Sequence, residues 1–508
     1  MRLHPTPLAV PPTLPSPRAS VPLEGVLEAI LPGPGVEPLR AALGQPDVLV
    51  VTTGQQAGLF TGPLYTIHKA LSAAALAAHL TERWGRPVRP VFWVAGDDHD
   101  HAEIASASWI DEGGQLGEVH LPARPADAPL RPMYREPLGE AITALLDRFT
   151  AAIPPSPHRA GTVAWLTRHY RPGATVAGAY GLALAELLAP LGIACLDSTH
   201  PAVKQAAAPC LLRALRESER LDGLLQAEAE TQFTARGAVS PVTVGDGATL
   251  VFLEDRLGRD RLVREGDGFR TRRGGDRFSY DRLDTIAREE PQRLSANVLL
   301  RPVVESAVLP TVAYVGGPGE LRYLRLTPPL YDALDVPRQC PVPRWSGAII
   351  EPPVDRILEK FGSSVAEVLR GDATLEARIV HDKVPAAVLG ALARIEAESD
   401  ARLEEITPTV LGLDPTLARP VASARRQIAW AVRDLGRRIH ARVRARSAVE
   451  LRQVGRVRGA LLPGGHPQER VLTIAPFLAR HGPALLVGIR DAAAAWYATA
   501  LEAGAPRP

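Results

Sequence analysis

The chain has 508 residues, 46% of them hydrophobic and 22% charged, a globular composition on a length that calls for roughly two to four domains. Its 58 basic and 56 acidic side chains leave a formal charge of +2, which excludes a strong global field favouring nucleic acid. Cys195, Cys210 and Cys340 are far apart and form no CxxC pair, which argues against a disulfide framework or zinc knuckle and for a reducing cytosol.

Residues 1–45 read as a Pro-rich arm, with no apolar core of signal-peptide length, followed by a short helix around 26–43. VLVVTT, residues 48–53, is β-branched and uncharged, a buried strand. Residues 64–84 have helical spacing, and PVFWVA, residues 90–95, is a second buried strand. Strand, helix and strand at this spacing form a right-handed βαβ unit. After a Gly- and Pro-rich stretch, helices are expected over 138–151 and 160–190, a strand over 191–197, and a helix from 201 to about 230. The pattern changes at Ala238, where short alternating strands with Gly turns over 238–282 predict a small antiparallel insertion. A strand over 309–317 resumes the α/β alternation.

From about residue 354 the chain reads as helical, with long segments at 388–406 and 416–458. The second, about 43 residues, carries an incomplete apolar stripe that includes Ile428, Val432, Leu435 and Ile439, with Arg filling much of the rest. The pair predicts an antiparallel hairpin projecting from the core. A helix that long cannot cover its stripe on a partner of half its length, so a homodimer through these helices is expected. The Arg face reads as solvated surface with acidic partners. An RNA-binding arm is the alternative, without interleaved aromatics to stack on bases. No uninterrupted apolar run reaches about 18 residues, so no membrane span is expected. The predicted organisation is a core over 1–237, the insertion over 238–282, core again over 283–353, a helical domain over 354–460, and a return to the core over 461–508.

Three strand-to-loop junctions carry the candidate chemistry, because parallel sheets bind ligands where strands end. At the first, Gly54, Gly58 and Gly62 would let backbone approach a ligand, and Gln55 and Gln56 offer amides. The helix start at Thr61-Gly62-Pro63 suits a phosphate or carboxylate. The bland alternative makes His68 a packed helix residue and the glycines turn-formers. At the second, Asp97, Asp98, His99, Asp100, His101 and Glu103 place six ionisable groups in seven positions. Three readings stay open: a metal site from Asp97, His99 and His101; substrate recognition, with an Asp on an amine and His99 as acid or base; or a helix start capped by Asp. The third is AYVGGPGE, residues 313–320. The first turn lacks a full GxGxxG, and neither GxxxxGK[ST] nor GxSxG occurs, which disfavours a standard dinucleotide site, a P-loop and a serine hydrolase.

Four blocks, TGQQAGLFTGPLYTIHKA (53–70), VFWVAGDDHDHAEI (91–104), NVLLRPVVESAVLPTVAYVGGPGEL (297–321) and PQERVLTIAPFLARHG (467–482), closely resemble the bacillithiol-biosynthesis cysteine-adding enzyme family, BshC. The resemblance covers essentially the whole chain. It implies an α/β fold with a Rossmann-like core, similar to the nucleotidyl-transferase fold of class I aminoacyl-tRNA synthetases. It also implies inserted connecting-peptide regions and a dimerising antiparallel coiled coil. The activity implied is a cytoplasmic ligase joining cysteine to glucosaminyl-malate, the last step to bacillithiol. Alternatives from other classes are a metal-dependent hydrolase using the Asp-His cluster and a basic RNA-binding adaptor.

On this resemblance GPLYTIH, residues 62–68, looks like a degenerate HIGH loop, and Arg344-Trp345-Ser346 is the nearest counterpart of the lysine loop. The family's usual GEDHD reads Gly96-Asp97-Asp98-His99-Asp100 here, which shortens one acidic arm. An activated cysteinyl carboxylate implies ATP, with Mg as its companion and no resident metal. Gln55, Gln56 and the 58–63 loop would hold phosphate, Gly58, Thr61 and Gly62 being joined by Lys69, Gly316 and Gly317. Asp97 or Asp98 would bind the cysteine ammonium, and His99 would deprotonate the amine or stabilise the leaving group, with His68 as a further catalytic candidate. Asp100, Asn297, Arg301 and Tyr314 would meet substrate alongside Gln55 and Gln56, Arg301 taking the malate carboxylates.

Overall fold

The computed structural model describes residues 1–6, 11–245 and 247–503, so part of the predicted arm, residues 7–10, lies outside the described residues. The chain divides into two compact units. The larger holds Leu3–Asp111, Leu116–Ala348 and Gln468–Pro508. The strands of its two five-stranded sheets are β1 (Leu49–Gln56), β2 (Val88–Ala95), β3 (Ala194–Asp197), β4 (Ala248–Asp255), β5 (Gly258–Glu265), β6 (Gly268–Thr271), β7 (Arg277–Phe278), β8 (Leu294–Ala296), β9 (Thr311–Gly316) and β10 (Cys340–Pro343).

The first sheet is parallel throughout, in the order β10-β9-β1-β2-β3. Central β1 is buried on both faces from Leu49 to Gly54, which is why it reads as a continuous apolar and β-branched run rather than an alternating one. β1 pairs with β2 from Leu49↔Val88 to Gln56↔Ala95, so the two strands end level. The helix Tyr65–Trp84 connects them and is buried on nearly all sides. Its alanines allow close packing, and the C-terminal helix Ala484–Ala503 covers it. That helix is fastened where the Tyr497 hydroxyl donates to the Pro343 carbonyl at 2.8 Å. Each aliphatic side chain fully buried in these layers contributes about 1.5–3 kcal/mol.

The second sheet is antiparallel, in the order β7-β6-β5-β4-β8. It differs from the predicted insertion at both ends. Residues 241–244 form no strand, 241 and 242 being bends. The fifth strand, β8, arrives only after the helix Tyr280–Glu289. That helix breaks the alternation that signals strands, so β8 is invisible to a period-two reading.

The smaller unit is helical. Ala386–Leu413 and Ala418–Arg446 form a hairpin, turned at Asp414, whose carboxylate accepts from the Thr416 amide at 2.8 Å. The segment read as one helix of about 43 residues breaks at Ser447, where Ala448–Leu461 begins. The Ser447 hydroxyl bonds back to the Val443 carbonyl at 2.9 Å, an interaction that bends helices. The hairpin arms therefore have 28 and 29 residues, and the length mismatch from which a dimer was argued does not exist. Several arginines of the second arm pair with acids, Arg433 with Glu396 at 3.8 Å and Arg438 with Asp434 at 2.7 Å, as a solvated surface does. Among the described residues no helix is long and apolar enough to cross a membrane.

Candidate functional site

A cleft of about 770 Å³ opens at the carboxyl ends of β1, β2 and β9. From β1 the chain steps outward to β2 and β3, then returns to the other side of β1 as β9. That reversal of strand order is where an open parallel sheet leaves a crevice for ligands. The second sheet contributes Phe252, Arg259, Arg261 and Ser295 to the lining, and the C-terminal return contributes Arg470.

At the strand ends the Gln56 amide donates to Asp98 Oδ2 at 2.5 Å. Asp98 Oδ1 accepts from the amides of His99 at 2.6 Å and Asp100 at 3.0 Å. Burial raises the Asp98 pKa, but the Arg259 charge and these hydrogen bonds outweigh it, so the net shift is downward and the carboxylate stays ionised. Glu103 also lines the cleft, and there burial pushes its carboxyl up. Asp97 is committed to Lys204, its Oδ1 accepting from Nζ at 2.5 Å, and Lys204 also reaches the Leu294 carbonyl at 3.0 Å.

The acidic cluster therefore disperses rather than converging on an ion. Asp97 faces Lys204, Asp98 faces Gln56, Asp100 is exposed and caps the Glu103 amide at 3.2 Å, and His101 lines a separate crevice beside Arg124. Among the described residues no group of three His, Cys, Asp or Glu side chains is placed to hold a metal. Asp97, His99 and His101, the set weighed for a metal as one of the three open readings, do not converge, and Asp100 caps the short helix that starts at His101. His99 is not part of the cleft lining; its Nδ1 lies 3.2 Å from Arg259 Nη1. Because a guanidinium can only donate, Nδ1 accepts and the neutral ring carries its proton on Nε2. Burial and then Arg259 push its pKa down.

Gln55, Gln56, Lys69, Asp97, Asp98, Asn297, Arg301, Tyr314 and Gly317 all line the cleft. Gly58, Thr61, Gly62, His68, Asp100 and Gly316 do not. The predicted phosphate loop is buried within the fold. Phe60, Thr61 and Gly62 all take positive φ, the Thr61 amide donates to the Tyr170 hydroxyl at 2.8 Å, and the Gly62 amide donates to the Leu59 carbonyl at 2.9 Å. Gly54 and Gly58 serve chain-to-chain contact: a Cβ would meet the Trp93 carbonyl oxygen at 2.7 Å at Gly54 and the Gly62 Cα at 2.8 Å at Gly58. The loop thus does not fit a nucleotide phosphate. His68 is fully buried and bonds through Nδ1 to Glu469 at 3.0 Å.

On the β9 side, Lys69 Nζ reaches Gln55 Oε1 at 3.1 Å and Glu320 at 2.8 Å. Glu320 also accepts from the Tyr314 hydroxyl at 2.5 Å and the Gly317 amide at 2.9 Å. Burial alone would raise its carboxyl, but Lys69 and these donors hold it low, so the pair is ionic. Arg301 is spoken for as well, donating to the buried Glu305 at 3.0 Å with its guanidinium 4.9 Å from the Tyr314 ring centre. Asn297 Oδ1 accepts from the amides of Leu299 at 3.1 Å and Leu300 at 2.9 Å, leaving its amide group for a ligand. Arg344 forms a double hydrogen bond with Glu469 at 2.8 and 2.6 Å, a buried clamp rather than a mobile loop.

Lys204, Arg259 and Arg261 carry no motif in the sequence, while Glu469 and Arg470 lie in the block at 467–482 with no role read for them there. Lys204 and Arg259 reach the acidic cluster from residues more than 100 positions away, a pairing no local pattern announces. Glu103 was visible as a member of the ionisable run.

Residues 39–345 match the family model described as "Bacillithiol biosynthesis BshC, N-terminal Rossmann-like domain", and residues 347–494 match "Bacillithiol biosynthesis BshC, C-terminal coiled-coil domain". A protein of Symbiobacterium thermophilum named "Putative cysteine ligase BshC" is 32% identical, with 88% of this chain and 82% of that protein covered. One of the same name from Heliobacterium modesticaldum is 32% identical over 89% and 83%, and one from Salinibacter ruber 31% over 89% and 82%. With both of its domains matched and the parallel-sheet cleft in place, the chain belongs to the BshC family of bacillithiol biosynthesis.

Proposed function

We propose that the chain is a carbon–nitrogen ligase that joins the carboxyl group of cysteine to the amine of glucosaminyl-malate. The convergence of Gln56, Asp98 and Glu103 at level strand ends, opposite a wall rich in arginine, supports this reading. A zwitterionic amino acid and an anionic amino sugar each need one acidic and one basic contact, and the cleft offers both. Asp98, ionised and fixed by two backbone amides, suits the cysteine ammonium; Asp97 does not, because Lys204 already neutralises it. Glu103, exposed on the cleft wall with its carboxyl raised by desolvation on its protein side, is the group suited to take a proton from the attacking amine. His99 is unsuited to that task, since its free nitrogen carries the proton and can only donate.

An acid does not condense with an amine at neutral pH until its hydroxyl is made a leaving group, so a donor such as ATP remains part of the proposal. Of the residues first assigned to its phosphates, Gly58, Thr61, Gly62 and Gly316 lie outside the cleft, and Gln55, Gln56, Lys69 and Gly317 line it. Two copies of the chain would pair through the helical hairpin, which exposes Ile395, Ile428, Trp430 and Leu435. The test of the reading is direct. Purified protein is incubated with cysteine, glucosaminyl-malate and ATP, and the amide product is sought by mass spectrometry while AMP and ADP are followed. Absence of a cysteine-dependent product under conditions where both substrates bind overturns it.

A further inference from the structure

Eight cationic side chains line the cleft. Six already have partners: Lys69 with Glu320, Lys204 with Asp97, Arg301 with Glu305, Arg344 with Glu469, Arg322 with the Val239 carbonyl, and Arg259 with Ser295 and the Ala296 carbonyl. Of the other two, Arg470 is exposed, as an unpaired surface arginine commonly is. Arg261 is different. It is half-buried on β5, its guanidinium lies 5.1 Å from the centre of the Phe252 ring, and among the described residues no carboxylate or carbonyl accepts from it. Its charged neighbours are Arg259 and Arg272, whose like charges, after burial, disfavour its own. A guanidinium withdrawn from water beside two other cations is destabilised until an anion arrives, and its planar fork matches an oxyanion in two hydrogen bonds.

We propose that Arg261 is the specificity-determining residue that reads a carboxylate of the malyl arm of the acceptor substrate. This inference rests on the ligase reading and replaces Arg301, whose charge Glu305 already answers, in that role. The Phe252 ring lies 4.0 Å from the Arg259 guanidinium and 5.1 Å from that of Arg261, a cation–π contact that restrains the Arg261 head group. The same fork could take a phosphate, so the test separates the two anions.

Calorimetric titration of the wild-type enzyme, Arg261→Ala and Arg261→Lys uses glucosaminyl-malate, the methyl glycoside of glucosamine, cysteine and ATP in turn. Among the described residues the Arg261 side chain makes no hydrogen bond, so both variants should keep the wild-type circular dichroism. The expected result for Arg261→Ala is an affinity for glucosaminyl-malate lower by about 10- to 100-fold. Arg261→Lys should lose less, and the carboxylate-free methyl glycoside, cysteine and ATP should bind as before. Unchanged binding of glucosaminyl-malate to Arg261→Ala overturns this inference and leaves the ligase reading intact. Loss of ATP affinity in place of acceptor affinity also overturns it, assigning Arg261 to phosphate. Failure of the wild-type enzyme to bind glucosaminyl-malate overturns both.

Discussion

Gln56 and Asp98 meet at 2.5 Å across the level ends of two neighbouring parallel strands, 42 residues apart in the chain. The register between those strands leaves no slack: Gln56 stands opposite Ala95, and Asp98 follows three residues later. The contact fixes one carboxylate oxygen from the side chain of Gln56 while backbone amides fix the other. A carboxylate so held is pre-organised for a cation and needs no rearrangement to bind it.

Asp98→Asn should therefore raise the KM for cysteine by about 10- to 100-fold, the loss of a charge-assisted contact to an ammonium. The asparagine carbonyl can still accept from His99 and Asp100, so the loop should hold its shape. Steady-state kinetics at saturating acceptor measure this. A variant whose cysteine KM is unchanged while its acceptor KM rises would reassign Asp98 to the other substrate.

As the base of the proposed reaction, Glu103 would set the acid limb of activity. Burial raises its carboxyl above the ordinary glutamate value of about 4.3, and only the ionised form accepts a proton. kcat/KM should fall as pH drops through that raised value and level off above it. Glu103→Gln should flatten the limb and lower kcat by about 10²- to 10⁴-fold, the usual worth of a positioned base. A limb that persists unchanged in Glu103→Gln assigns it to another group.

The parallel core is legible in the residues because a strand buried on both faces writes itself as VLVVTT, and two such strands around an Ala-rich helix admit one handedness. Gln56 and Asp98 could be read as neighbours on that basis. The phosphate loop was misread because glycine has two uses that look alike in one dimension. Gly54 and Gly58 admit another stretch of chain, as a missing Cβ does for a ligand. Arg301 was a poor choice for a related reason: Glu305 lies one helical turn on, at 3.0 Å, and a pair at that spacing is the first thing to suspect. Lys204, Arg259 and Arg261 enter from elements folded in from afar, and only tertiary structure assigns them.

Glu469 accepts from Arg344, Ser346 and the Gly347 amide and bonds His68, all of them buried. Removing it leaves an unpaired guanidinium in the core. Glu469→Ala should destabilise the protein by about 3–5 kcal/mol, the range for breaking one side of a buried pair. Urea unfolding measures it, and a loss under about 1 kcal/mol would show the site open to water.

His68 beside it makes that stability pH-dependent. Burial lowers the His68 pKa despite Glu469, so the unfolded chain binds the proton more readily. The contribution is complete above the unfolded value of about 6.5 and is lost as pH falls through the lowered folded value. Glu469, depressed as well, acts in the same sense at lower pH. The Tm should fall as pH is lowered from 7 toward 5, and His68→Gln should remove that part of the slope. An equal slope in His68→Gln places the acid sensitivity elsewhere.

The helical hairpin offers the last test. Neither arm buries a single residue completely, and Trp430 is 58% exposed, Leu435 50% and Ile395 48%. Large apolar groups are exposed on both of the matched arms of 28 and 29 residues. A second copy covers such groups by two-fold symmetry, each side chain contributing twice. One charged substitution therefore enters the interface at two places, and Leu435→Glu should convert a dimer to a monomer at micromolar concentration. Analytical ultracentrifugation reads the mass, and helical circular dichroism confirms that the arms persist. Dimers of unchanged affinity in Leu435→Glu, and again in Trp430→Glu, would mean that the hairpin is not the surface through which copies associate.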